Sequence, residues 1–172
     1  VPPPAPQRAD VDVLEGTDWP EATLTSGEAA ILCDVDNDLA VEDASVPVTD
    51  LSYARVMEAV KPCETPGVMR LLYTGKIGTD FTALVERVAN IAERLEIKRR
   101  ILDLDSSGGH VEDAMKAGDA IGASHWTLRV RDDAICHSAC VLILAAGDDR
   151  SITAKVGIHR MIRIDSSATT RA

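Results

Sequence analysis

The chain has 172 residues, 45% of them hydrophobic and 27% charged, with a formal net charge of -10. That is apolar material for one core of ordinary size and no more. No apolar run approaches the roughly 18 residues that cross a bilayer, and no basic stripe with interleaved aromatics offers a footprint for nucleic acid, whose phosphates an anionic surface repels.

Residues 1–60 carry 13 acids against two bases, Arg8 and Arg55, whereas residues 61–172 carry 15 acids against 16 bases. The chain opens at Val1 with Pro2, Pro3, Pro4 and Pro6 and without an initiator Met, so a segment removed upstream, a secretory signal included, is an expectation. Residues 1–27 are rich in Pro, Asp, Glu, Thr and Gly without apolar period and read as an extended or partly disordered arm. Residues 1–65 as a whole are expected to form an acidic N-terminal extension, with Ala29 to Leu32 as the one short apolar stretch of 28–50. Asp34, Asp36 and Asp38 have the spacing that opens a calcium loop, but Leu39 and Ser45 stand where such a loop needs Gly and Glu. A solvated acidic turn is the better reading, and neither metal nor cofactor is expected. Cys33, Cys63, Cys136 and Cys140 are an even number, which suits two disulfides and favours the periplasm or another exported location over the cytoplasm.

From residue 68 the pattern is regular. Val68 to Tyr73 is a strand-like run closed by Gly75 and Gly78, and Phe81, Leu84, Val85, Val88, Ile91, Ala92 and Leu95 then follow helical spacing. Ile101 to Leu104 is a second strand, ended by Ser106-Ser107-Gly108-Gly109, and Val111, Ala114, Met115, Gly118 and Ile121 mark a second helix. Trp126 to Val130 is a third strand, and Ala139 to Ala146 an apolar helical stretch stopped by Gly147. Scarce aromatics, 3% of the chain, leave Val, Ile, Leu and Ala to build the core. The alternation predicts an α/β fold with right-handed crossovers and a mainly parallel sheet.

Ligands of such sheets gather at the carboxyl ends of the strands, and two segments fall there. In Asp105-Ser106-Ser107-Gly108-Gly109 the glycines let backbone approach a ligand closely. In Cys136-His137-Ser138-Ala139-Cys140 a serine sits at a strand-to-helix bend, its hydroxyl held out and the Ala139 amide ready for an oxyanion. A plain helix N-cap is the competing account of Ser138. A third segment, Val156-Gly157-Ile158-His159-Arg160-Met161, arrives 21 residues after the serine and supplies an imidazole able to take a hydroxyl proton near neutral pH. His137, next to the serine, turns about 100° away at a helix start. His110 and Lys155 read as surface residues.

Ser-Ser-Gly-Gly, a small-residue serine elbow 30 residues after Gly108, and Gly-Ile-His in this order resemble the ClpP family of the ClpP/crotonase superfamily. Leu72-Tyr73-Thr74-Gly75-Lys76-Ile77 is similar to that family's opening strand and turn. The resemblance covers about residues 70–162, within a domain expected over 66–172 and incomplete at its C-terminus. It implies a ClpP/crotonase-like fold of ββα and βα units and a serine hydrolase acting on a peptide or protein. Ser138 is then the nucleophile, His159 the general base, Gly108 and Ala139 the oxyanion donors, and Gly109, His110 and Val111 the edge beside an extended substrate. Three departures stand out. Ser107 replaces the family's proline, Cys136 and Cys140 flank the serine as packing residues or a local disulfide, and the orienting Asp belongs about 50 residues beyond His159, past Ala172. Asp165 lies too close to take that place. Family members assemble as rings, so a homo-oligomer is implied although no residue here identifies it. The rival readings are a non-hydrolytic crotonase-like protein that binds a thioester through the same amides, and a catalytically silent interaction module whose acidic N-terminal third, clipped by Cys33 to Cys63, covers the site or binds a partner.

Overall fold

The computed structural model describes residues 16–33 and 45–152. Among these residues six strands form one sheet in the order β2-β1-β3-β4-β5-β6, with β1 Gly27–Leu32, β2 Val46–Val48, β3 Val68–Gly75, β4 Arg99–Asp105, β5 Thr127–Val130 and β6 Asp149–Ile152. The strands β3 to β6 run parallel, while β1 is antiparallel to both of its neighbours. The helices are α1 Tyr53–Val60, α2 Thr79–Arg94, α3 Val111–Ser124 and α4 Cys140–Ala146. This is the mixed α/β, mostly parallel architecture that the apolar spacing predicts.

Each of the strands β3, β4 and β5 is followed by a helix, and successive right-handed crossovers in one direction lay those helices in a row on one sheet face. Contacts along the row agree. Tyr73 of β3 packs on Phe81 of α2 with ring centroids 4.5 Å apart. Thr82 of α2 donates to the Asp113 carbonyl of α3 at 2.8 Å, and a methyl at Gly118 of α3 would stand 3.4 Å from Ala146 Cβ of α4. The inward stripe of α2, Phe81, Leu84, Val85, Val88 and Ile91, is fully buried, which is what its helical spacing demands.

Within the described residues, the N-terminal third is not a separate extension. The strand β1 lies inside the sheet between β2 and β3, and Trp19 and Leu24 are buried in the same core. Arg87 of α2 lies over the Trp19 ring at 5.5 Å and donates to the Leu51 carbonyl at 2.6 Å, which ties these segments to the helical layer. A disulfide between Cys33 and Cys63, 30 residues apart, closes the loop from β1 to the turn after α1. A short strand, β6, follows at Asp149–Ile152, beyond the last element that the apolar spacing predicts. The acidic run Asp34 to Asp38 lies outside the described residues.

Asp80 at the start of α2 clamps the entry to β1. Its carboxylate accepts the amides of Thr25 and Ser26 at 2.7 Å each and the Ser26 hydroxyl at 2.6 Å. Burial pushes its pKa up, but these hydrogen bonds outweigh burial and hold it below the ordinary aspartate value. A carboxylate with a depressed folded pKa stabilises the fold above its unfolded pKa, and that contribution disappears as pH falls through the folded value. Wild type is therefore expected to exceed Asp80→Asn in stability by on the order of 1 kcal/mol at most, since the group is partly open to water. Urea unfolding at a series of pH values should show the difference closing below about pH 4.

Candidate active site

The carboxyl ends of β4 and β5 bring the two predicted loops together. Ser106 pairs with Cys136 in an isolated parallel bridge, with Ser106 N–H donating to Ile135 at 2.9 Å and His137 N–H to Ser106 at 3.0 Å. The Asp105 carboxylate accepts the Ile135 amide at 3.1 Å and fixes the approach to the elbow. These bonds seat Ser138 directly against the glycine loop. A methyl placed on Gly108 would lie 2.8 Å from Ser138 Cβ and 3.3 Å from its Oγ.

Ser138 has φ 55°, a left-handed conformation that costs an L-residue other than glycine roughly 1–2 kcal/mol. The side chain is exposed, and its hydroxyl has no hydrogen-bond partner among the described residues. Ala139 begins the turn into α4, where Cys140, Val141 and Leu142 donate three residues back to His137, Ser138 and Ala139. Its amide donates to no acceptor among the described residues. A bent serine beside an unengaged amide is an arrangement suited to a nucleophile with one oxyanion donor.

The second expected donor is already engaged. The Gly108 amide donates to the hydroxyl of buried Ser106 at 3.0 Å, so it must leave that hydroxyl before it can serve an oxyanion. Sequence reasoning missed this role for Ser106. The available signal was spacing, because serine two residues before a glycine is placed to make a local side-chain to backbone turn.

Gly109 pairs with Ile77 in a parallel bridge, in which Ile77 N–H donates to Gly108 and His110 N–H donates to Ile77, both at 2.9 Å. In a parallel ladder the groups of the middle residue face the other way, so Gly109 turns its own N–H and C=O outward on an exposed loop. Val111 and Met115, one turn apart on α3, are 54% and 57% exposed and set apolar surface next to that edge. His110 is exposed as well. By contrast, His137 Nε2 is buried without a hydrogen-bond partner.

His159, Lys155 and Asp165 lie outside the described residues. Among the described residues no group of three His, Cys, Asp or Glu side chains is placed to hold a metal ion, and no helix is long and apolar enough to cross a membrane. A cavity of about 410 Å³ on the outer part of the sheet, lined by Gly27, Glu28, Ala30, Pro47, Leu72 and Thr74, contains none of the predicted site residues. We place the candidate site at the strand ends, because there the backbone geometry, the glycine loop and the serine converge.

Cys136 and Cys140 form a disulfide, the second in the described structure with Cys33–Cys63. Structural disulfides of this kind are typical of oxidising compartments. No family model, curated protein or solved structure matches the chain.

Proposed function

We propose that this protein is an exported serine hydrolase of ClpP/crotonase type, acting as a peptidase, with Ser138 as nucleophile and His159 as general base. The observation that carries the reading is the left-handed, exposed Ser138 packed against Gly108 at the carboxyl ends of parallel strands. Two disulfides support an oxidising compartment such as the periplasm.

The chemistry is acyl transfer. Ser138 Oγ attacks a peptide or ester carbonyl while His159 takes its proton, and the amides of Ala139 and Gly108 hold the tetrahedral oxyanion. Collapse expels the amine or alcohol with the proton returned from His159, and water then releases the acyl group by the same route. The outward edge of Gly109 pairs with an extended substrate, and the apolar surface of Val111 and Met115 receives an apolar side chain.

A catalytically silent module is the second reading, favoured by the engagement of the Gly108 amide with Ser106. A fluorophosphonate probe on the full chain separates the two. Covalent labelling that disappears in Ser138→Ala is the expected result, whereas a folded wild type that takes no label ends the hydrolase reading. In that event a rise in melting temperature with a coenzyme A thioester would point to the non-hydrolytic crotonase-like alternative.

A further inference from the structure

The Cys136–Cys140 disulfide brackets the serine symmetrically, two residues on either side. Cys136 is held in the bridge to Ser106, and Cys140 is the first residue of α4. Both are buried, at 1% and 0% exposure. Their Cα atoms are 5.3 Å apart, whereas four residues of α-helix advance about 6 Å along the axis alone. The cross-linked segment is thus more tightly curled than four residues of helix, and the one left-handed residue inside it is Ser138.

We infer that this cross-link is a positioning element that licenses the serine: formed, it holds Ser138 in the left-handed elbow, and open, it lets the backbone relax into a right-handed extension of α4. The inference rests on the hydrolase reading for its consequence in activity, though not for its consequence in backbone. On opening, the Sγ–Sγ bond breaks, and a dithiol supplies two electrons and two protons, leaving two cysteine thiols and its own disulfide. Because both cysteines are buried, a thiolate reaches the bond only through local opening. The cross-link therefore acts as a licence set when the chain folds in an oxidising compartment, where another disulfide accepts the two electrons and two protons of the cysteine thiols by exchange, and before that the serine reacts more slowly.

The intrinsic preference against a left-handed serine converts to a roughly 5- to 30-fold change in the elbow population. The test uses the full chain with Cys136→Ser and Cys140→Ser combined, beside a control with Cys33→Ser and Cys63→Ser combined. Fold retention is read by circular dichroism. The elbow variant is expected to react with a fluorophosphonate about 5- to 30-fold more slowly than wild type, and the control at the wild-type rate. A folded elbow variant that labels within about twofold of wild type overturns the inference. Nuclear magnetic resonance couplings that report φ of Ser138 decide the matter independently of activity. A change from left- to right-handed in the elbow variant supports the licence even if no form labels, in which case only the hydrolase reading fails; an unchanged φ overturns it. Should the elbow variant not fold, the same couplings are measured on wild type held in excess dithiol until mass analysis shows the elbow thiols open. A right-handed Ser138 there again supports the licence, and a left-handed one again overturns it.

Discussion

Gly108→Ala is expected to abolish fluorophosphonate labelling of Ser138 while leaving the sheet intact. Gly108 has φ +112°, and the added methyl would meet Ser138 Cβ at 2.8 Å and the His137 carbonyl at 3.0 Å. Those neighbours belong to backbone-anchored loops, held by the bonds between Ser106 and residues 135 and 137, so neither retreats without moving the elbow. Strain at such a φ is worth about 1–3 kcal/mol. A displacement of the nucleophile by about 1 Å costs on the order of 100-fold in rate. Labelling should fall by at least that factor, with a melting temperature lower by several degrees. Gly67→Ala is the matched control: its φ is +75° but its methyl meets nothing within 4 Å. It should lose comparable stability and keep wild-type labelling. Equal labelling of Gly108→Ala and wild type would show that the serine and the glycine loop do not form one site.

The parts of the molecule that local pattern determines are the parts legible in the sequence. The stripe Phe81-Leu84-Val85-Val88-Ile91 and the run Val68 to Tyr73 carry their own periods, and strand, helix and order follow from them. The placement of β1 does not follow, because Ala29 to Leu32 finds its partners some 40 residues later in Arg70 to Tyr73, and nothing local encodes that pairing. The edge strand Asp149-Arg150-Ser151-Ile152 is largely exposed and so lacks the apolar alternation that announces a strand. At the site, the elbow was legible because small residues follow a strand and precede an apolar helix. The meeting of Gly108 with Ser138 was expected from resemblance alone, since it depends on which strand lies beside which. The capture of the Gly108 amide by Ser106 is only half legible, because Ser106 and Ser107 each stand two residues before a glycine and differ in that one is buried and the other exposed.

Asp103→Ala should cost the fold about 3–5 kcal/mol, the range for removing one partner from a buried ion pair. Asp103 sits in the middle of β4 and is 5% exposed. Arg129 of β5 donates to it at 2.7 Å and 3.3 Å, and Arg70 of β3, itself 1% exposed, lies 3.3 Å away. One carboxylate therefore bridges three adjacent strands on the face turned from the helices. Replacing it by a methyl removes the anion that offsets the desolvation of both guanidinium groups. Asp103→Asn, which keeps an acceptor oxygen, should be milder. The exposed pair Arg55–Glu58, at 64% and 69% side-chain exposure, sets the opposite limit, and Glu58→Ala should change stability by less than about 1 kcal/mol. Urea unfolding orders the three variants. An Asp103→Ala chain as stable as Glu58→Ala would mean that the charged cluster is solvated and does not brace the strands whose ends carry the glycine loop and the elbow.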